Sequence, residues 1–128
     1  MMENLLQNTI SNVFNKIEKY LPNGWQKCCF YAAYTVGGYT MKFYVKNVEG
    51  KYIDCFNLGV DENDLTFLFI DIDDIIFPQR EALDEKNKWS VLSIFVSADG
   101  KASANLDYTD ISENTIGYQR DWEQKYLV

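Results

Sequence analysis

Two glycine-containing turns constrain this chain more than any other feature in it. Gly37-Gly38 stands between two segments rich in aromatic and small residues, and Asp99-Gly100 stands between two more. A two-residue hairpin loop needs positions that tolerate positive φ, which Gly-Gly supplies, and Asp-Gly is among the strongest short-range hairpin signals. Each signal makes its flanking segments run antiparallel. Residues 25–36 read as one long strand. Residues 39–46 alternate, with Tyr39, Met41, Phe43 and Val45 on one face and Thr40, Lys42, Tyr44 and Lys46 on the other. Residues 47–50 form a second turn and residues 51–56 a third strand, which completes a meander. Residues 89–97 form a fourth strand with Leu92, Ile94 and Val96 on one face. After Ala98-Asp99-Gly100-Lys101, residues 102–108 return as a fifth.

Helical periodicity fills the intervals. Leu6, Ile10, Val13, Ile17 and Tyr20 recur at spacings of four and three, with Leu5, Phe14 and Leu21 beside them, and predict an amphipathic helix over residues 3–21. Pro22-Asn23-Gly24 ends it. Residues 57–64 read as a loop in which Asp61 or Asn63 caps the next helix. From Leu65 onward, Leu65, Leu68, Phe69, Ile72, Ile75 and Ile76 form one helical face, although a run so heavy in Phe and Ile also suits a strand. Pro78 is expected to kink this helix or to start a second short one. Residues 118–127 predict a terminal helix. The order α-βββ-α-ββ-α lacks regular βαβ alternation. It predicts an α+β fold, a five-stranded, largely antiparallel sheet with its helices packed on one face, in a single domain over residues 1–128.

The absence of histidine removes Ser-His-Asp and Cys-His hydrolases, His acid–base catalysis and His-ligated zinc. Cys28 and Cys29 point to opposite faces of a strand, no Cys-x-x-Cys occurs, and with Cys55 the count is odd. Three reduced structural thiols, with no metal and no cofactor, are expected. No apolar run approaches the roughly 20 residues of a membrane span, and Met1-Met2-Glu3-Asn4 has no basic region leading into an apolar one. A cytoplasmic location without membrane association is the expectation.

The net charge of −7 is unevenly distributed. Residues 1–51 carry six bases and three acids, net +3, and residues 86–128 carry five bases and six acids, net −1. Residues 52–85 set Arg80 against ten acids, net −9. Such a block repels phosphate backbones and disfavours direct nucleic-acid binding, while it attracts a basic protein. A solvated helix face that only aids solubility has the same composition.

Within the block, Phe69-Ile70-Asp71-Ile72-Asp73-Asp74 resembles the Asp-x-Asp nucleophile loop of haloacid-dehalogenase-type phosphatases. In those enzymes one carboxylate attacks phosphorus, the second serves as acid and base, and magnesium bridges them. Asp74 stands where that motif carries Thr or Val, and the segment lies mid-chain with no Rossmann-like core before it. A small magnesium-dependent phosphatase or hydrolase using Asp71 and Asp73 is one alternative, with Asp74 as a further magnesium ligand. Helical geometry suggests another use. With Leu65, Leu68, Ile72 and Ile76 inward, the opposite side presents Phe67, Ile70, Asp74 and Phe77, flanked by Asp71 and Asp73. Together with Asp61, Glu62 and Asp64 these are the candidate partner-binding residues, apolar anchors ringed by carboxylates. A helix buried on both sides would cancel them. Lys42, Lys46 and Lys51 beside Tyr44 and Tyr52 suit either nucleic-acid stacking or a solvated face. Trp25 and Trp89 are expected in the core, and no residue set reads as a catalytic site.

Several segments resemble a known family. They are Trp89-Ser90-Val91-Leu92-Ser93-Ile94, Asp99-Gly100-Lys101, Leu106-Asp107-Tyr108 and Arg120-Asp121-Trp122-Glu123-Gln124-Lys125-Tyr126-Leu127. In this order they resemble the YezG-like family of bacterial immunity proteins. Its tryptophan-led strand, Asp-Gly hairpin, acidic-aromatic strand end and closing helix bearing Arg, Trp and then Lys-Tyr-Leu follow the same succession. The amino-terminal helix ending before Pro22, then Trp25 and an aromatic meander, fits as well. Pro78 departs from the uninterrupted charged helix of that family. The resemblance implies an antitoxin, not an enzyme, that neutralises a polymorphic or contact-dependent growth inhibition toxin, often a nuclease, by stoichiometric one-to-one binding. It transfers no catalytic residues. An acidic adaptor domain that recruits an unrelated basic protein remains a further alternative.

Overall fold

Residue 1 apart, the chain is described by a computed structural model covering residues 2–128, with side chains from Leu6 onward. Leu5, expected beside the first apolar stripe, lies outside the described side chains. The strands β1 (Lys27–Thr35), β2 (Gly38–Lys46), β3 (Tyr52–Asp54), β4 (Val91–Ser97) and β5 (Ala102–Asp107) form one sheet in the order β3-β2-β1-β4-β5. Every neighbouring pair is antiparallel. The helices are α1 (Met2–Ile17), α2 (Glu62–Glu81) and α3 (Thr115–Tyr126). The α+β class and the element order follow the expectation.

The turns show how the register is set. Thr35 pairs with Gly38, so the loop residues are Val36 and Gly37 rather than the expected Gly37-Gly38. Gly37 alone adopts positive φ (+87°), and Gly38 already belongs to β2. The other two hairpins share one construction. Gly50 N–H donates to Asn47 O and Gly100 N–H to Ser97 O, while Asn47 and Ser97 donate to Lys51 O and Lys101 O. The reversed backbone at Gly50 and Gly100 makes that closure possible. β3 stops earlier than expected because the Asp54 carboxylate accepts from Phe56 N–H (2.8 Å) and caps a short 3-10 turn at Cys55–Asn57.

One face of the sheet carries Phe30, Ala32, Met41, Phe43, Val45, Leu92, Ile94 and Val96. Ile10, Val13 and Ile17 of α1 and Leu65, Leu68, Phe69, Ile72 and Ile76 of α2 cover it. Alternation at period two met by stripes at period 3.6 is what buries both surfaces. The expectation that all helices share this face is corrected by α3, which lies on the opposite one. There Trp122 packs with Cys29, Tyr31, Ala33, Tyr44 and Val91, and Phe95, Tyr118 and Tyr126 close over them. A third of the aromatic residues serve this second layer, so its apolar area comes from a few rings and not from an aliphatic stripe. Among the described side chains, no buried polar atom lacks a hydrogen-bond partner.

α2 runs past Pro78 as one helix to Glu81, and no second helix begins there. Proline removes the N–H that Asp74 C=O would accept. Both residues lie on the exposed side of the helix. The sheet and α1 thus hold α2 by one side only, and its other side faces solvent.

Candidate protein-binding surface

Local chemistry fixes the start of α2. The Asp61 carboxylate accepts from Asn63 N–H (2.8 Å), with Glu62 and Asp64 in the first turn, where the helix dipole favours negative charge. Of the candidate binding residues, these three therefore have a structural role in beginning the helix. Register then follows from the core. With Leu65, Leu68, Phe69, Ile72 and Ile76 buried, the opposite stripe is exposed: Phe67 65%, Ile70 44% and Phe77 45%, with Asp74 also exposed between them. The residues at i, i+3, i+7 and i+10 make one continuous ridge along the helix. Neither a strand nor a helix buried on both sides describes this segment.

Asp71 and Asp73 flank that ridge on opposite sides. Asp71 borders a hollow between α1 and α2 that is also lined by Lys16, Lys19, Tyr20 and Phe67. Asp73 turns toward the sheet, where its Oδ1 accepts from the Tyr34 hydroxyl at 2.5 Å. Two positions apart on a helix is about 200° of rotation, so an Asp-x-Asp pair in this setting diverges. Among the described residues, no group of three Asp, Glu or Cys side chains is placed to hold a metal. Asp71, Asp73 and Asp74 thus do not assemble the bridged carboxylate site of the phosphatase alternative.

Two of the three hairpin lysines, Lys42 and Lys46, have side-chain partners of their own. Lys42 forms an ion pair with Asp54 and lies over the Tyr44 and Phe56 rings, and Lys46 lies over Tyr52. Tyr44 is buried beneath α3 and donates to Glu123 (2.7 Å), so it offers no free ring face to a base. The three cysteines are free and buried. Burial pushes Cys29 and Cys55 up to about 11 and Cys28 higher still, which keeps all three as thiols near neutral pH.

Residues outside the predicted set extend the surface beyond α2. Tyr34 and Tyr39 face each other across the first hairpin, ring centroids 5.8 Å apart, and Phe77 lies 6.3 Å from Tyr34. Val36 at the hairpin tip is fully exposed. Arg80 sits over both Tyr34 (5.3 Å) and Trp89 (5.5 Å), and its Nε donates to Trp89 O (2.7 Å). Burial first, and then the Asp73 carboxylate it bonds, push the Tyr34 phenol well above its ordinary range. Burial, Asp73 and Asp74 raise Tyr39 as well. The pairing of Tyr34 with Tyr39 was readable from a hairpin placed one residue earlier. Arg80, the sole base of its acidic segment, was the other available signal. No protein-family model and no curated protein matches this sequence.

Proposed function

We propose that this domain is an immunity protein. It binds a cognate toxin domain one to one, without cofactor or catalysis, and neutralises it in the cytoplasm of the cell that makes both. The single observation that carries the proposal is the exposed ridge of Phe67, Ile70, Asp74 and Phe77 on a helix whose opposite face is buried in the core. Large apolar side chains held in the open by a rigid element, among carboxylates, have the composition of a binding surface for a basic protein. The segment charge of −9 favours fast capture of such a partner, a basic nuclease domain above all, and repels nucleic acid itself. The resemblance to YezG-like immunity proteins points the same way.

The test is co-purification with the C-terminal domain of the protein encoded immediately upstream, followed by calorimetric titration at two salt concentrations. One-to-one binding at about nanomolar Kd that weakens with salt is expected. Tight binding indifferent to salt, and unchanged by Asp71→Lys/Asp74→Lys, would move the contact away from the acidic ridge. Absence of binding would leave an acidic adaptor domain.

A further inference from the structure

We infer that the groove beside the ridge, between the first hairpin, the end of α2 and residues 108–112, receives an arginine- or lysine-bearing loop of the protein partner. This deepens the proposed binding role and rests on it, by naming the chemistry of the contact. The groove encloses about 890 Å³ and has an aromatic bank formed by Tyr39 and Phe77, with the buried Tyr34 behind them. The opposite bank is held rigid by side-chain turns. Asp107 accepts from the N–H and hydroxyl of Thr109 (2.9 and 2.8 Å), Asp110 accepts from those of Ser112 (3.0 and 2.7 Å), and Ile111 is anchored in the second core.

Its charge decides what fits. The bases of the groove are already engaged: Arg80 with Glu81 at 3.3 Å, and Lys88 with Glu81 at 3.6 Å and Glu85 at 3.4 Å. Of the carboxylates lining the groove, Asp73 and Asp110 enter no ion pair among the described residues. Asp73 offers Tyr34 one oxygen and has the other free for a second donor. Exposed ring faces beside carboxylates without cations form a receptor for a guanidinium or ammonium group, which gains from both the ring quadrupole and the carboxylate. An extended chain has room to follow that side chain along the groove. A nucleic acid would meet two unneutralised carboxylates, Asp73 and Asp110.

The probe is a short disordered peptide of alternating arginine and glycine, titrated into the whole ¹⁵N-labelled domain and followed by NMR. Shifts are expected to concentrate at residues 34–39, 73–80 and 108–112. Tyr39→Ala and Phe77→Ala, each at an already exposed site, should weaken binding roughly five- to tenfold. Asp73→Asn, which keeps the bond to Tyr34 and removes the charge, should do the same. Replacing arginine by citrulline in the peptide should abolish the shifts. Shifts centred on residues 61–71, shifts retained by the citrulline peptide, or no shifts at all would each overturn the groove. A domain that captures the peptide here but not the neighbouring toxin would support the groove and refute the immunity role alone.

Discussion

The two faces of the sheet are held by different chemistry. On one, α1 and α2 bring eight buried side chains down onto alternating strand residues, and the cluster is mostly aliphatic, its buried rings being Phe30, Tyr34, Phe43, Phe69 and Trp89. On the other, α3 buries only Trp122 of its twelve residues. The rest of that contact consists of rings meeting edge and face. Tyr31 lies 5.1 Å from Trp122, Tyr44 5.5 Å, Phe95 6.3 Å and Tyr126 5.3 Å. Three of the rings with a polar tip use it: Trp122 Nε1 donates to Ser93 Oγ (2.9 Å), Tyr44 to Glu123, and Tyr118 to Asp107. A polar helix docks stably when its few large side chains are both apolar in body and hydrogen-bonded at the end.

The largest effects should come from removing the centre of either face. Trp122→Ala is expected to cost about 3–5 kcal/mol and Ile72→Ala about 2–5 kcal/mol in denaturant unfolding. If the faces are independent, the double variant should equal the two single effects within about 0.5 kcal/mol. A larger discrepancy would mean that β1, shared by both, transmits strain.

Cys28 and Cys29 report on the faces separately, because adjacent strand residues point to opposite sides. Under mild denaturant, Cys29 beneath the short α3 should be alkylated about tenfold faster than Cys28, a difference of about 1.4 kcal/mol in opening free energy. Equal labelling of the two would show that α3 opens only with the whole domain.

Tyr118→Phe probes the polar tips. Burial alone would raise the Asp107 carboxyl, but hydrogen bonds from Tyr118 and Thr109 outweigh it and hold the group below its ordinary 3.8. Its stabilisation is therefore complete above that value and disappears as pH falls through the lower folded one. Burial and Asp107 push the Tyr118 phenol above its ordinary 10.0, so its contribution is complete below 10.0 and fades as pH rises toward the folded value. The variant should lose about 1 kcal/mol at neutral pH, with the deficit shrinking in acid. Thermal unfolding across pH measures both. Phe67→Ala should change stability least, by under about 0.5 kcal/mol, because its ring already faces water. A larger loss would mean that the ridge belongs to the core.

The two faces also differ in how much of them could be read in advance. The α1/α2 face was legible almost residue by residue: period-two strands and 3.6-residue stripes named Met41, Phe43, Leu92, Ile94, Leu65, Leu68 and Ile72 correctly. Periodicity could not place α3, since a helix with one buried residue has no stripe, and its partners Tyr31, Tyr44 and Phe95 alternate with equally apolar neighbours. The exposed ridge followed directly from the register of α2. The groove did not. It depends on Tyr34, Tyr39 and Arg80 meeting Asp73 across sequence distances that no local pattern encodes.

The sheet order also carries a consequence for the time course of folding. β1 joins β2 across a two-residue loop and β4 joins β5 across a tight turn, so each pair is a local hairpin of the kind that closes in about 1–10 μs. The seam between them, β1 against β4 from Lys27–Ser97 to Ala33–Val91, encloses β2, β3 and α2 within its loop. Closing that loop demands chain entropy before its contacts repay it. The barrier should therefore lie at the seam, with stopped-flow kinetics showing Ala32→Gly slowing folding and Ile53→Ala mainly hastening unfolding. The segment that spans the seam is the one bearing the exposed ridge of α2, so the surface proposed here for a partner takes its final place only when the two hairpins join.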